Sequence, residues 1–204
     1  MSTVTIIGAG NIGSAVAGIA VDAGAQVQVL ARDAAKAAVH PAATAGTFGD
    51  PITGDIVVLA LPYAALADVV ATYAGQLAGK TVVDVTNPLD FATFDSLVVP
   101  EGSSAAAELA AQLPGAHVLK AFNTTLAATL ATKTVGTLPT TVLVAGDDAD
   151  AKRGLVSLVE AGGLRAVDAG SLKRAHELEA LGFLQLTLAA AEKTSWTTGF
   201  ALVP

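Results

Sequence analysis

The hydrophobic positions of this chain form short continuous runs, and the segments between the runs place their apolar residues at helical spacing. The first run, TVTII at 3–7, is β-branched and uninterrupted, as is typical of a strand buried on both faces of a parallel sheet. Similar runs predict further strands at 26–30, 44–48, 55–61, 80–85, 116–122, 141–145 and 164–167, of which 44–48 is the weakest.

Helices are predicted between these strands, at 14–23, 33–39, 63–73, 103–113, 148–161 and 171–192, with another after Asn123. Gly24 follows the first helix where a C-terminal glycine belongs. Asp33, and either Ser103 or Ser104, stand at N-cap positions. Strands that alternate with helices imply a parallel sheet covered on both faces. We therefore predict an α/β fold, a doubly wound parallel sheet with a small C-terminal α/β extension that ends in a long helix.

The chain has 204 residues, enough for one substantial hydrophobic core but few for two independent domains. We expect a first unit at 1–135 and a smaller C-terminal part at 136–204 that packs on it. There is no cysteine, which excludes disulfides and thiolate metal sites, and no metal site is predicted.

Charge and hydropathy exclude several classes of partner. The net charge is −7 with no basic patch to offset it, so nucleic acid and anionic membrane surfaces are not expected to bind. Residues 1–21 carry no charged side chain, but they lack the basic flank of a secretory signal and are interrupted by glycines. We expect a cytoplasmic protein with no membrane partner.

A glycine motif follows the first predicted strand and opens the first predicted helix. Gly8, Gly10 and Gly13 match G-x-G-x-x-G within a βαβ unit, the context that makes this pattern a dinucleotide-binding fingerprint of the Rossmann fold. Gly8 permits the tight turn, Gly10 lets the backbone approach a pyrophosphate, and Gly13 lets the helix pack on the strand. We expect the amides of Asn11 and Ile12 to bind the phosphates at the positive end of the helix dipole.

The end of the second strand indicates which dinucleotide binds. NAD-binding proteins usually have an acid there, but this chain has Ala31, followed by Arg32 and Lys36. These two are the only basic residues among the first 79, and they lie where a 2′-phosphate would sit. Asp33 fits either a displaced NAD-type acid or a helix cap. We favour the cap, and NADP(H) over NAD(H), with solvated surface charges as the alternative role for the two cations.

The reactive end should lie beyond the carboxyl ends of the strands. Leu61-Pro62, Asn87-Pro88 and Asn123-Thr124 stand there. The amides of Asn87 and Asn123 could hold a flat ring, or they could serve turns and helix caps.

No group of side chains suited to general acid–base catalysis is visible in the sequence. His117 is predicted to be a packed strand residue. Lys120 is the best candidate for a proton donor or phosphate contact, although a structural ion pair is favoured.

The chain resembles the NADPH-dependent reductases of the deazaflavin coenzyme F420, whose relatives include the cytosolic domain of the STEAP metalloreductases. The matching segments are GAGNIG (8–13), Ala31-Arg32 with Lys36, LALP (59–62), KTVVDVTNP (80–88), KAFNT (120–124), VAGDD (144–148) and VDAGSL (167–172). The resemblance implies that NADP(H) is held by Gly10, Asn11, Ile12, Arg32, Lys36, Leu61 and Pro62. It places the nicotinamide near Asn87, Pro88 and residues 124–127, with a second cofactor stacked on the ring's free face.

One departure concerns the second cofactor. F420 reductases have a histidine where this chain has Asn123, and the AFNT form resembles the metalloreductase branch, whose partner is a flavin. The resemblance therefore implies either coenzyme F420 or FMN/FAD as the second cofactor. We also expect the segment SWTTGF (195–200) to line the pocket through Trp196 and Phe200.

The leading hypothesis is an oxidoreductase that transfers hydride between NADPH and a deazaflavin or flavin. The alternatives are an NADP-dependent dehydrogenase of a small imine or hydroxy acid, and a non-catalytic NADP(H)-sensing module. The last helix has too many apolar residues for a single buried stripe. It therefore predicts a homodimer contact, unless the helix is fully buried within one subunit. These residues are Leu172, Leu178, Leu181, Phe183, Leu184, Leu186 and Leu188.

Overall fold

A computed structural model describes residues 2–202. Its strands are β1 (Thr3–Ile7), β2 (Gln26–Ala31), β3 (Ala43–Thr47), β4 (Ile56–Leu59), β5 (Thr81–Asp84), β6 (His117–Lys120), β7 (Thr134–Val135), β8 (Leu138–Pro139), β9 (Thr141–Gly146) and β10 (Arg165–Gly170). Its helices are α1 (Asn11–Asp22), α2 (Ala34–Ala37), α3 (Leu66–Leu77), α4 (Ala105–Gln112), α5 (Ala127–Thr132), α6 (Ala149–Ala161) and α7 (Ala175–Ala190). Short 3-10 turns, Tyr63–Ala65 and Leu172–Arg174, precede α3 and α7.

Eight strands form one sheet in the order β10-β9-β6-β5-β4-β1-β2-β3, and β7 pairs with β8 in a separate hairpin. The order from β3 to β6 is that of a doubly wound Rossmann sheet, which confirms the predicted fold class. The pairing of β9 with β6 is antiparallel, whereas the pattern predicted a parallel sheet throughout. Parallel pairing would require the chain to return to the amino-terminal end of β6 before it forms β9. The chain instead enters β9 from the carboxyl end of β6.

Two hydrophobic clusters cover the two faces of the sheet. Val4 and Ile6 of β1 pack in one cluster with residues of α1, α5 and α6. Ile7 packs in the other cluster with residues of α3 and α4. Consecutive strand residues point to opposite faces, and both faces are buried by helices. This accounts for the continuous apolar runs in the sequence.

The predicted helix ends are confirmed by local geometry. Gly24 has φ +76° after α1, and its N–H donates to Val21 O at 2.9 Å. Asp33 accepts a hydrogen bond from Ala35 N at 3.0 Å, and Ser104 accepts one from Ala107 N at 3.0 Å. These side chains satisfy helix N–H groups that have no partner within the helix.

His117 does not lie in the core as the sequence predicted. Its side chain is 44% exposed, and its Nδ1 lies 3.2 Å from the carboxylate of Asp148. The reason is the short overlap of the two neighbouring strands: β9 pairs only with Leu119 and Lys120. The first residue of β6 therefore has no strand beside it on that side.

The C-terminal part adds to the same sheet. β9 and β10 extend the sheet beyond β6, and α7 then packs near the carboxyl ends of the strands, where Asn123 contacts Leu178. The predicted boundary between residues 135 and 136 stays a prediction.

Candidate functional site

Two neighbouring cavities open where β1, β2, β4 and β5 end. The first has a volume of about 560 Å³ and the second about 510 Å³. Gly10, Leu61 and Pro62 line both of them. The two cavities therefore form one cleft along the carboxyl edge of the sheet, where ligands of doubly wound folds bind.

The three motif glycines are required for different reasons. Gly8 has φ +115°, and a Cβ there would collide with the carbonyl oxygen of Ala60. A Cβ on Gly13 would collide with the carbonyl oxygen of Gly8, so this glycine brings α1 against the loop. Around Gly10, by contrast, no atom lies within 4 Å of a built Cβ. The fold itself needs Gly8 and Gly13, and Gly10 leaves open space in the cleft.

The start of α1 suits an anion. Gly10 is the N-cap residue and has no side chain to occupy the first-turn N–H groups. The first residues of the helix, Asn11 and Ile12, both line the second cavity. Unoccupied N–H groups and the positive end of the helix dipole together favour a phosphate there. The residues present therefore fit the pyrophosphate of a dinucleotide.

The first cavity holds the predicted cations. Arg32 and Lys36 both line it, as do Ala31 and Asp33. Arg32 is exposed, and its Nη2 lies 3.6 Å from the carboxylate of Asp68. Because one oxygen of Asp33 caps α2, the helix-cap interpretation of this residue is confirmed. An exposed guanidinium held by one loose ion pair remains free to turn toward a phosphate.

The second cavity contains the two asparagines, and they bind each other. Asn123 Nδ2 donates to Asn87 Oδ1 at 2.9 Å, and Asn87 Nδ2 donates to Asn123 O at 2.9 Å. Asn123 Nδ2 also donates to Leu178 O at 2.8 Å. The loops after β5 and β6 and the helix α7 are thereby held together. Of the two amides, that of Asn123 keeps an unpaired atom, its buried Oδ1.

Gly182 of α7 makes this arrangement possible. It is buried and lines the second cavity. A Cβ at this position would collide with Asn87 Oδ1 and would lie 2.8 Å from Asn123 O. Close approach of α7 to the asparagine pair therefore requires glycine.

Lys120 belongs to a buried charge cluster beside the site. Its Nζ lies 2.8 Å from carboxylate oxygens of both Asp84 and Glu179, and it donates to Thr86 O at 2.6 Å. All three charged side chains are fully buried. Lys120 is thus a structural ion-pair residue, as the sequence favoured. Burial raises the pKa of Glu179, and the attraction of Lys120 opposes this shift.

Tyr63 is the titratable residue on the wall of the second cavity. Its hydroxyl donates to the Glu108 carboxylate at 2.5 Å. This hydrogen bond, with partial burial, raises the pKa of Tyr63 to about 12. A phenol that holds its proton so firmly and already donates it to a carboxylate is a poor general acid near neutral pH.

The other predicted residues either line the second cavity or lie outside its lining. Trp196 lines the second cavity, but Phe200 is not among its lining residues, and that part of the expectation was wrong. Pro88 and Thr124 are buried beside the cavity without lining it.

Four further lining residues were not predicted from the sequence as part of the site: Phe91, Gly182, Gln185 and Leu186. Gln185, a polar residue within the apolar segment of α7, was a signal that could have been noticed.

Residues 3–88 match a family model described as "NADP oxidoreductase coenzyme F420-dependent". Residues 3–88 of the chain belong to this family. The F420-dependent NADP reductase of Methanocaldococcus jannaschii is 30% identical over 148 residues, which are 71% of this chain and 66% of that protein. Metalloreductase STEAP3 of Rattus norvegicus is 31% identical over 181 residues, which are 87% of this chain and 36% of that protein.

A solved structure extends the comparison to the full length of the chain. A candidate F420-dependent NADP reductase from Arthrobacter sp. FB24 superposes with a TM-score of 0.86, at 26% identity, over 100% of both chains. The present chain spans just under two thirds of the archaeal relative and about a third of the rat relative. Family membership supports NADP(H) as the dinucleotide of the glycine loop.

Metal ligation and membrane insertion are two further properties that the described side chains and helices bear on. Over residues 2–202, no group of three or more His, Cys, Asp or Glu side chains could hold a metal ion. Within that same part of the chain, none of the helices combines the length and the hydrophobicity needed to cross a membrane.

Proposed function

We propose that this protein is an NADP(H)-dependent oxidoreductase that transfers hydride between NADPH and a deazaflavin or flavin. The composition of the second cavity is the observation that carries the proposal. Its described lining contains no Asp, Glu, His, Lys or Arg, and it includes the aromatic residues Phe91 and Trp196. Hydride exchange between two flat rings needs stacking and orientation more than protein acid–base groups. Reduction of a small imine would need a proton donor beside the substrate, and oxidation of a hydroxy acid would need a base there.

The residues of the cleft divide the binding of NADP(H) between them. Gly10, Asn11 and Ile12 would hold the pyrophosphate, because α1 begins there with free N–H groups. Arg32 and Lys36 would bind the 2′-phosphate, and this part of the proposal selects NADP(H) over NAD(H). NADPH supplies the hydride, and the acceptor ring takes it up together with a proton from solvent.

The asparagine pair would position rather than react. Asn87 and Asn123 fix the loops that follow β5 and β6, and both side chains line the cavity. Leu61 and Pro62 lie where the two cavities meet, and they would set the path of the dinucleotide from one to the other. The C-terminal part, through α7 and Trp196, completes the wall that faces the acceptor.

Anaerobic oxidation of NADPH tests the proposal, with coenzyme F420 and FMN supplied separately and NADH as the control donor. We expect turnover with at least one acceptor and a marked preference for NADPH. Turnover with F420 would show that Asn123 is a tolerated replacement for the histidine of the F420 reductases, whereas turnover with FMN alone would favour the metalloreductase-like branch. Equal rates with NADH would contradict the assignment of Arg32 and Lys36. Inactivity with both acceptors would contradict the proposed reaction.

A further inference from the structure

Unpaired buried polar atoms gather at the second cavity. Within residues 2–202, five buried side-chain N and O atoms have no hydrogen-bond partner. Four of them belong to residues that line this one cavity: Thr86 Oγ1, Asn123 Oδ1, Gln185 Nε2 and Gln185 Oε1. Folded proteins pair nearly all such groups, so a cluster of unpaired ones indicates a partner that binds there.

The unpaired atom of Asn123 is a hydrogen-bond acceptor. Its Nδ2 already donates to both Asn87 Oδ1 and Leu178 O, and these two bonds determine which way the amide faces. Exchanging the amide nitrogen and oxygen would bring oxygen against two oxygens. The remaining Oδ1 can therefore accept a hydrogen bond from an N–H or O–H group of a ligand.

Gln185 is the least satisfied of these side chains. It lies one helical turn beyond Gly182 on α7 and is 5% exposed, and neither atom of its amide has a partner. Three other glutamines make hydrogen bonds: Gln28, Gln76 and Gln112. A buried amide without a hydrogen-bond partner destabilises the folded protein unless a bound ligand pairs it.

The position of Gln185 separates it from the first cavity, which holds Arg32 and Lys36. Residues of α7 line the second cavity and are absent from the described lining of the first. Leu186 and Trp196 lie on the same wall and also come from the C-terminal part of the chain. The glycine loop and the matched family segment, by contrast, lie within residues 3–88.

We propose that Gln185 recognises the hydride acceptor by binding the imide edge of its ring. A primary amide can donate to a ring carbonyl and accept from the adjacent ring N–H, and these two groups are the ones that a cyclic imide presents side by side. Flavins and deazaflavins both carry this edge, and small imines and hydroxy acids do not. The inference rests on the proposed function and names the residue that makes the site specific for this class of acceptor.

Gln185→Leu tests the role with little change in side-chain volume, and Gln112→Leu on the surface of α4 is the matched control. We expect Gln185→Leu to raise the Kd and KM of FMN or F420 at least about tenfold, because two hydrogen bonds are lost. The Kd of NADPH should stay within about twofold. The melting temperature should stay equal or rise, because an unpaired buried amide has been removed.

A modified ring supplies the second arm. Wild-type protein should bind lumiflavin, or deazalumiflavin if F420 is the acceptor, about tenfold more tightly than the derivative methylated at the imide nitrogen, because methylation removes the N–H. Gln185→Leu should bind both forms nearly equally. This loss of discrimination would not follow from a merely structural role of the glutamine.

The other outcomes each overturn a distinct claim. If the wild-type protein turns over and Gln185→Leu binds the acceptor as tightly as the wild type, the role of Gln185 is refuted. The proposed function would still stand. Weakened NADPH binding with unchanged acceptor binding would assign the amide to the nicotinamide. If wild-type protein binds neither flavin nor deazaflavin, both proposals fail together.

Discussion

Lys120 is the residue whose surroundings depart most from those of an ordinary lysine. It has no exposed side-chain surface, and it contacts the carboxylates of Asp84 and Glu179. Glu179 also accepts hydrogen bonds from the first two N–H groups of α4, those of Ala105 and Ala106. The cluster therefore connects β5, β6, α4 and α7, and it reaches the carbonyl of Thr86, the residue before Asn87. Its net charge is negative if both acids are ionised.

Removing the cation should be costly. Lys120→Met would leave two buried carboxylates without their shared partner, and we expect a loss of about 3–5 kcal/mol in the free energy of unfolding. Urea unfolding measures it. Lys133→Met, which removes a partly exposed partner of Asp22, is the control and should change stability little. A loss no larger than that of the control would contradict the structural role of Lys120.

The raised pKa of Glu179 gives this cluster a pH dependence. The folded state holds the Glu179 proton more tightly than the unfolded state, whose pKa is near the ordinary 4.5. Its contribution to stability is therefore fully present below 4.5 and is lost as the pH rises through the folded-state pKa. The free energy of unfolding of wild-type protein, relative to Glu179→Gln, should fall as the pH increases above 4.5. A relative stability that rises over this range would contradict the shift.

Arg32 and Lys36 determine the expected choice of dinucleotide. Arg32→Ala and Lys36→Ala should each raise the KM of NADPH about tenfold, because each removes a charged contact to the 2′-phosphate. The KM of NADH, which lacks that phosphate, should change little. Arg153→Ala, on the exposed face of α6, is the control. Parallel losses with both dinucleotides would show that the two cations do not read the 2′-phosphate.

Among the elements, the turn from β1 into α1 shows how one motif serves both folding and binding. Gly8 and Gly13 bring the loop, α1 and the end of β4 into contact distances that no side chain permits. Gly10 is not constrained in this way, since its surroundings are open. The motif is therefore partly a packing requirement, and the open space at Gly10 is the part that we propose for the ligand.

Two alanine substitutions should separate these roles. Gly13→Ala should destabilise the protein by about 1–3 kcal/mol, because its methyl group overlaps the Gly8 carbonyl. Gly10→Ala should leave the melting temperature nearly unchanged and weaken NADPH binding, because the methyl group occupies the space needed by the pyrophosphate. Thermal unfolding and NADPH titration of both variants measure the two effects. A loss of stability in Gly10→Ala equal to that in Gly13→Ala would contradict the distinction.

For the molecule as a whole, the exposed apolar surface of α7 bears on its oligomeric state. Leu178 is buried, but Leu184 is 50% exposed, and Phe91 and Trp196 at the cavity are 63% and 54% exposed. The homodimer contact expected from the apolar sequence of α7 stays a prediction, and Leu184 is the helix residue best placed to test it.

If α7 forms a two-fold contact, Leu184→Lys should shift the protein toward monomers, because it places a charge in an apolar interface. Light scattering at micromolar concentration measures the mass. Ala71→Lys, at an exposed position of α3, is the control and should behave as wild type. A wild-type monomer would refute the prediction directly.

Local signals in the sequence determined most of the fold. The apolar runs located the strands because each is buried on both faces, and Gly24, Asp33 and Ser104 marked helix ends because capping involves residues close in sequence. Arg32 and Lys36 were predicted to lie together because Arg32 directly follows β2 and Lys36 lies in the next short helix, and both line the first cavity. For the same reason the glycine motif predicts a dinucleotide site from its local context alone.

Tertiary structure alone decided what depends on segments far apart in the chain. The antiparallel entry of β9 left His117 exposed, although its strand pattern indicated burial. The partners of Lys120 come from β5 and α7, and Gln185 lines the second cavity only because α7 packs against it. Side-chain pairing and burial are set by which elements meet in space, and hydrophobic periodicity does not encode that information.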